Sequence, residues 1–368
     1  MKNFTRFELE RTHGLTYDDV LLCPAYAEFT PNEADTGTTI GSIRLSIPIL
    51  SSAMDTVTDE AMLREMWKCG GLGVLHKNMS IEKQCTTIKE SREEWGTRTA
   101  AAIGVSLPNR FRARALVEAR TDAIVIDSAH GNSKNVVSMV EYVRGLDADI
   151  TIIAGNVTDA NGTYRLYKAG ANVVKVGIGG GSICTTRVVS GAGVPQLQAI
   201  SDCATVCDSE DGLSIIADGG IRYSGDITKA IAAGAHAVMI GNILAGCDEA
   251  PGERVIGIND GKYYKKYRGM GSVGAMESGS SDRYSQDGVA QDKLVPEGVE
   301  GLVPYTGPVS QVLFQLVGGL KSGMGYVGAK TINRLRGGMR FTTVTQAGRS
   351  ESHVHDMLSV TPTTNYKG

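Results

Sequence analysis

The sequence has no long apolar run, no basic block and no regular glycine period. No stretch of 18 apolar residues occurs, and the first residues lack the apolar segment of a signal peptide. The net charge is -3 with no cluster of Lys or Arg, which argues against a nucleic-acid partner. The 46 glycines follow no three-residue period, which excludes a collagen-like chain. We therefore expect a globular protein that binds neither membranes nor nucleic acid.

Cysteine usage is equally informative. The seven cysteines are odd in number and irregularly spaced, unlike the even and patterned set of a disulfide framework. Because thiols stay reduced in the cytosol, we expect a cytoplasmic protein.

Eight short apolar runs recur along the chain, and each ends in glycine or a polar residue. They begin at residues 47, 71, 99, 123, 151, 173, 214 and 237, and most lie 22–28 positions apart. That spacing leaves room for a strand, a helix and two loops. Continuous apolar character is typical of parallel strands that are covered on both faces. The pattern predicts one (β/α)8 (TIM) barrel over residues 1–368, with a doubly wound open sheet as the alternative.

Two segments interrupt the regular spacing of the apolar runs, and each follows a predicted strand. Residues 179–196 read GGGSICTTRVVSGAGVPQ, whereas residues 247–308 are rich in Gly, Ser, Asp and Tyr. Long loops without regular structure inside a compact domain are usually functional, and barrel active sites lie where the strands end. We therefore predict a catalytic loop at 179–196 and a mobile flap at 247–308.

Cys184 is the candidate nucleophile. It follows the small residues 179–182, and such a loop exposes N–H groups to phosphate while it holds a thiol within reach of a substrate. A buried structural cysteine is the alternative. The GIGGGS run also matches part of a dinucleotide fingerprint, but it does not open the first βαβ unit, and no acidic strand end follows about 20 residues later.

Other strand ends carry groups suited to a phosphorylated ligand. Asp218, Gly219 and Gly220 follow the seventh run, and Gly241 follows the eighth. Loops at these two positions bind phosphate in many barrels, although the same residues could simply make tight turns.

A second polar ligand, such as a nicotinamide riboside, would suit the ends of the fourth and fifth runs. Asp127 and Ser128 end the fourth run, and Asn156 ends the fifth. In the second insertion, Arg283 and Tyr284 are hard to explain as core residues, with solvated side chains as the alternative.

Taken together, these motifs resemble those of the inosine-5′-monophosphate (IMP) dehydrogenases, within the superfamily that they share with GMP reductase. The resemblance runs almost end to end. The motifs that carry it are GLTYDDVLLCPA, SSAMDTVTD, LGVLHKNMSIEKQ, GSICTTR, ADGGIRYSGDI, YRGMGS, DRYSQ, VPEGVEG, GGLKSGMGY and ESHVHD.

The resemblance implies an NAD-dependent oxidation of IMP to XMP, a step of guanine nucleotide synthesis. Cys184 would attack C2 of the hypoxanthine, hydride would pass to NAD, and a covalent thioimidate would remain. A flap carrying Arg283 and Tyr284 would then enter the vacated nicotinamide site, where Arg283 activates water. Thr186 would orient that water, and Glu297 would offer a proton relay. Guanidinium groups ordinarily keep their protons, so the role of Arg283 rests on the resemblance alone.

The resemblance also implies three sets of binding residues. IMP would be held by Ser52, Met54, Ser182, Asp218, Gly219, Gly220, Gly241, Asn242, Tyr267, Gly269, Met270, Gly271 and Glu297. NAD would lie near Asp127, Ser128, Asn156, Lys175, Gly177 and Gly179. A potassium ion would bind Gly179, Gly181 and Cys184, completed by Glu351, Ser352 and His353 of a neighbouring subunit in a homotetramer.

The chain departs from the usual family pattern in ways that leave alternatives open. It lacks the two CBS modules of ~120 residues that usually follow the second strand, a layout shared with GMP reductase. The reductase has a glutamate where Val273 stands and has no Arg–Tyr flap, which favours the dehydrogenase. Gly180 replaces a usual proline and Asn242 a usual serine, so a preference for a deoxyribonucleotide is one hypothesis. A catalytically inactive nucleotide-binding barrel is the third alternative.

Overall fold

Eight parallel strands close into a barrel in the computed structural model, which describes residues 3–5, 14–258, 260–358 and 365–366. Every predicted apolar run contains one strand, and the last strand pairs with the first, so the prediction of a (β/α)8 barrel is confirmed. The strands are β1 Ile49–Ser51, β2 Leu72–Leu75, β3 Ala100–Ile103, β4 Ala123–Asp127, β5 Thr151–Val157, β6 Val173–Val176, β7 Ser214–Asp218 and β8 Ala237–Ile240.

Alternate residues of these strands face the two sides of the barrel wall. In β4, Ala123 and Val125 pack inside the barrel, whereas Ile124 and Ile126 pack in the layer beneath the helices. Both sets are fully buried, which explains why the runs read as continuous rather than alternating. A hairpin of Thr38–Ile40 and Ile43–Leu45 shares the interior cluster of the barrel.

Eight helices follow the strands in turn and form the outer ring. Three of them begin at side chains that cap the first turn, namely Asp59, Ser80 and Asp159. The helices are α1 Glu60–Lys68, α2 Ile81–Trp95, α3 Leu107–Glu118, α4 Lys134–Leu146, α5 Ala160–Ala169, α6 Gln196–Ser209, α7 Ser224–Ala232 and α8 Val309–Tyr326.

The connection between α2 and β3 is only residues 96–99. Gly96 ends α2 in the left-handed conformation, and the chain turns directly into β3. No module is therefore inserted at the position where the family usually carries its CBS pair.

The insertion between β8 and α8 is more ordered than the sequence predicts. It holds an antiparallel sheet of Arg254–Ile256, Tyr263–Arg268 and Glu300–Pro304. Short helical turns, Val273–Ala275, Met276–Ser280 and Ser281–Tyr284, follow the middle strand. The expectation of a segment without regular structure is wrong for this sheet, because a strand such as Tyr263–Arg268 is polar and lacks the apolar run that predicts each barrel strand.

The remaining elements close the ends of the barrel and the surface. A second antiparallel sheet joins Asn3–Thr5, Arg340–Thr343 and Val20–Leu22. Short helices lie at Tyr17–Asp19, Pro31–Glu33, Thr186–Val189, Asn242–Ala245, Gln291–Lys293, Ile332–Arg336 and Gln346–Glu351. Within the described ranges, no helix combines the length and apolar character needed to cross a bilayer.

Candidate active site

A cavity of about 380 Å³ opens where the barrel strands end. Its walls come from the loops after β1 and β4–β8 and from the insertion, so the two segments that interrupt the regular spacing meet at one place. All the residues assigned above to IMP line this cavity: Ser52, Met54, Ser182, Asp218, Gly219, Gly220, Gly241, Asn242, Tyr267, Gly269, Met270, Gly271 and Glu297.

Cys184 lies on the wall of the cavity at the start of a hydrogen-bonded chain. Its Sγ donates to Thr186 Oγ1 at 3.2 Å, and Thr186 Oγ1 donates to Glu297 Oε2 at 2.7 Å. The thiol is half-buried, and Thr186 is buried behind it. A proton can therefore leave the thiol through one hydroxyl and reach a carboxylate.

Backbone pairing holds Glu297 against the cysteine loop. Thr185 N donates to Glu297 O at 2.9 Å, and Val299 N donates to Ile183 O at 3.0 Å. Because Glu297 lies 113 positions from Cys184 in sequence, only the packing of the insertion on the barrel could bring the two together.

Arg187 fixes the two ends of the cysteine loop. Its guanidinium donates to Ile178 O at 3.0 Å and to Val194 O at 2.6 Å. Gly179 and Gly193 have φ values of +73° and +159°, and a side chain on either would strike the Arg187 stem. The glycines let the loop fold around this arginine.

A buried lysine joins the residues assigned to NAD to those assigned to IMP, which form the two halves of the cavity. Lys175 Nζ contacts Asp127 Oδ1 at 2.8 Å and Asp218 Oδ2 at 2.7 Å, and it also donates to Asn156. Asn156 Nδ2 donates in turn to Asp218 Oδ2 at 2.9 Å and to Gly177 O at 2.7 Å. Lys175 is 2% exposed, so this ammonium depends on the carboxylates for its solvation.

Arg283 of the insertion pairs with Asp127 at the end of β4. Its backbone carbonyl also accepts from Ala129 N at 3.0 Å, which fixes the insertion over β4. The neighbouring Tyr284 packs against Gly271, where a Cβ would come within 2.9 Å of the tyrosine oxygen. Burial raises the pKa of Tyr284, which therefore enters the cavity as a neutral phenol.

Tyr267 closes the wall near β1 and β8. Its hydroxyl lies 3.8 Å from Met54 Sδ, and a side chain at Gly241 would come within 2.9 Å of it. Burial raises the pKa of Tyr267, so this hydroxyl is a donor at neutral pH.

The residues assigned to NAD are only partly on the cavity wall. Asp127, Asn156, Lys175, Gly177 and Gly179 line it. Ser128 is buried beside it, where its backbone N–H donates to Gly155 O at 3.0 Å.

The residues assigned to potassium fall into two separate groups. Gly179, Gly181 and Cys184 lie together in the cysteine loop and could present carbonyl oxygens, the ligands that a hard cation prefers. Glu351, Ser352 and His353 are not among the residues that line the cavity, and His353 packs on Tyr223 with ring centroids 6.3 Å apart.

Several residues of the cavity wall were missed by the sequence analysis. Tyr17 and Asp18 come from the YDD segment, and Arg222 comes from the loop after β7. The GLTYDDVLLCPA and ADGGIRYSGDI motifs already contained them. The motifs therefore pointed to these residues. Nothing in the sequence spacing, however, showed that the segment before β1 crosses to the mouth of the barrel.

Comparison with known proteins extends these observations to the whole chain. A family model described as "IMP dehydrogenase / GMP reductase domain" matches residues 14–355. The inosine-5′-monophosphate dehydrogenase of Cryptosporidium parvum is 45% identical over 96% of this chain and 98% of its own length. Those of Halalkalibacterium halodurans and Bacillus subtilis are 40% and 39% identical, each over 96% of this chain and 98% of the relative. The alignment with the H. halodurans protein runs over 479 positions, more than the 368 residues here, so that relative has a segment without counterpart in this chain.

Proposed function

The chain belongs to the IMP dehydrogenase / GMP reductase family, and we propose that it oxidises IMP to XMP with NAD. The observation that carries this proposal is the pair of hydrogen bonds that links Cys184 through Thr186 to Glu297. Arg283 lies in the same cavity. A nucleophile, a proton route and a cation for the hydrolytic step are thus gathered in one site.

The first step forms a bond from Cys184 Sγ to C2 of the purine. The thiol proton passes to Thr186 Oγ1 while the Thr186 proton passes to Glu297, so the sulfur attacks as a thiolate. Asp127, Asn156 and Lys175 would hold NAD, which would supply the acceptor for the hydride that leaves C2. The product of this step is a thioimidate on Cys184.

The second step hydrolyses the thioimidate after NADH has left. Arg283, paired with Asp127, then lies in the region that we assign to the nicotinamide. Water attacks C2, its proton leaves by way of Arg283 or the Thr186–Glu297 pair, and the C–S bond breaks to release XMP. Cys184 recovers its proton, which completes the cycle.

Nucleotide binding uses the glycine turns after β7 and β8. Gly219 and Gly220, with φ values of +104° and +79°, bring bare backbone to the cavity, as a phosphate group requires. We assign the ribose hydroxyls to Asp218, whose Oδ2 already binds Lys175 and Asn156.

We further propose that a potassium ion binds the carbonyls of the cysteine loop and that Glu351–His353 of a neighbouring copy complete its ligands in a homotetramer. Two observations support this. Gly179, Gly181 and Cys184 lie in one loop of the cavity wall, and Glu351, Ser352 and His353 are not among the residues that line that wall. The seven free cysteines agree with a reducing, cytoplasmic location.

GMP reductase is the alternative within the same family. Its reaction needs a proton donor for departing ammonia. Val273 stands at the position of the reductase glutamate, and its aliphatic side chain cannot donate a proton. We therefore retain the dehydrogenase.

The covalent adduct tests the proposal directly. Intact protein mass spectrometry after mixing with IMP and NAD should show a species heavier by one nucleotide, and the Cys184→Ala variant should not form it. Adduct formation in that variant would place the nucleophile elsewhere.

A further inference from the structure

The segment next to Arg283 is fixed to the barrel by a buried cluster that no step of the proposed reaction uses. Asp282 Oδ1 pairs with Lys77 Nζ, and Asp282 Oδ2 accepts from Asn109 Nδ2 at 3.0 Å. Lys77 Nζ also donates to Gly279 O at 2.7 Å. Lys77 follows β2 and Asn109 lies in the first turn of α3, so the contacts join the insertion to the far side of the barrel mouth.

We propose that Lys77 and Asn109 are positioning residues for the hydrolytic step, because they hold Asp282 and thereby keep Arg283 in the cavity. This inference rests on the proposed dehydrogenase function. Asp282 and Arg283 are consecutive, so the backbone of Arg283 cannot withdraw from the cavity without drawing Asp282 away from Lys77.

The shape of the barrel mouth is fitted to this carboxylate. Gly104, directly after β3, has no room for a side chain, since a Cβ there would overlap Asp282 Oδ2. Gly104 N donates to Asn109 Oδ1 at 2.9 Å, and this bond turns the Asn109 amide so that its N–H group faces Asp282. Gly104 and the Asn109 amide together form the binding site of the Asp282 carboxylate.

Because the cluster is buried, its contacts favour the state in which the insertion is packed over the cavity. Lys77 and Asp282 are 5% and 8% exposed at their side chains, and both known partners of the Lys77 ammonium belong to the insertion. Burial lowers the pKa of Lys77, and Asp282 opposes that shift. When the insertion withdraws, Lys77 loses both partners and Asp282 loses its hydrogen bond to Asn109, so opening breaks a buried ion pair together with two hydrogen bonds.

The cluster should therefore control the competition between Arg283 and NAD. Both are assigned to the region of Asp127, so whatever weakens closure lets NAD occupy the site while the thioimidate is still present. Loss of the cluster should slow hydrolysis and strengthen inhibition by excess NAD, whereas the formation of NADH in the first turnover should be spared.

The test compares Lys77→Met, Asp282→Asn and the double variant with the unaltered enzyme in rapid-mixing experiments. The NADH burst should keep its rate and amplitude, while steady-state turnover should fall about 10- to 100-fold, the equivalent of about 1.4–2.7 kcal/mol. The NAD concentration that inhibits should fall by a similar factor. The double variant should lose less than the sum of the two single losses, because the Lys77–Asp282 pair is broken in all three.

Several outcomes would overturn the inference. They are unchanged turnover, a burst that falls in step with turnover, or additive losses in the double variant. Asn109→Ala gives a second, milder probe if the charged variants do not fold, and it should show the same split between burst and turnover. Glu65→Gln, which removes the Lys68–Glu65 pair on the surface of α1, is the matched control and should leave both phases unchanged. If the unaltered enzyme made no NADH from IMP, the proposed function would fail before this inference was reached.

Discussion

Arg283 of the insertion pairs with Asp127 at the carboxyl end of β4. The two residues are 156 positions apart, and Asp127 also contacts the buried Lys175, which in turn contacts Asp218. The insertion therefore enters the cavity at a carboxylate that we assign to NAD. On this assignment the cofactor and Arg283 would compete for Asp127, and that competition would order the two chemical steps.

Removal of the thiol should abolish the redox step. We expect Cys184→Ala to lower the rate of NADH formation at least about a thousandfold, because no other nucleophile in the proposed scheme makes C2 tetrahedral. IMP binding should survive, since the thiol supplies little binding energy. Stopped-flow absorbance and equilibrium titration with IMP measure the two effects. A variant that kept its burst would contradict the assignment.

Removal of the guanidinium should separate the two steps. Arg283→Ala should give a burst of NADH close to one per active site and then stall, because the thioimidate forms but is not hydrolysed. Arg254→Ala, which removes an exposed guanidinium paired with Asp248, serves as the control and should turn over normally. Loss of the burst in Arg283→Ala would show that the residue acts before hydrolysis.

Lys175 should matter to both ligands and to folding. Lys175→Met leaves Asp127 and Asp218 close together without the ammonium between them, and breaking a buried pair in this way costs about 3–5 kcal/mol. We expect a lower denaturation midpoint in urea and higher KM values for IMP and for NAD. If only one of the two KM values rose, Lys175 would not couple the two halves of the cavity.

The stability of the protein should fall on the acid side of neutrality through His76. Burial lowers the pKa of this imidazole, although Asp55 and Asp59 oppose the shift. The unfolded chain therefore binds a proton at a higher pH than the folded chain does. Below the ordinary histidine pKa of about 6.5, the unfolding free energy should fall by at most about 1.4 kcal/mol per pH unit. It should level off once the pH is below the lowered pKa.

His76→Gln isolates that contribution. Urea unfolding at pH 5.5 and pH 7.5 should show a smaller loss of stability for the variant than for the unaltered protein. Equal losses would mean that other groups dominate the acid response.

Asn242 tests the sugar or phosphate preference raised by the sequence. It lines the cavity next to Gly241, at a position where the family usually has serine. A deoxyribonucleotide preference would give 2′-deoxy-IMP a higher kcat/KM than IMP, and Asn242→Ser should then reverse the order. Equal or better turnover of IMP rules this preference out.

The barrel could be predicted from the sequence because each of its strands is marked by a pattern of neighbouring residues. Each strand is a short, fully buried run, and the run beginning at Ala123 shows how one apolar stretch serves the inside and outside of the wall. The sequence also predicted that Cys184, Asp218 and Arg283 belong to one site, although only family motifs linked them. Their roles remain predictions.

Long-range contacts set the limit of that prediction. The Lys77–Asp282 pair spans 205 positions, and no periodicity connects a lysine after β2 with an aspartate in the insertion. The sheet inside residues 247–308 was missed because Tyr263–Arg268 reads as a polar segment, with only Lys265 and Tyr267 buried. Burial of a lysine by the carbonyls of Cys247 and Ala250 has no signature in sequence.

Absorbance at 340 nm tests the central claim most directly. IMP with NAD and potassium should raise the absorbance as NADH forms, and GMP with NADPH should leave it unchanged. A flat trace with IMP and NAD, together with falling absorbance for GMP and NADPH, would contradict the dehydrogenase and identify the chain as the reductase.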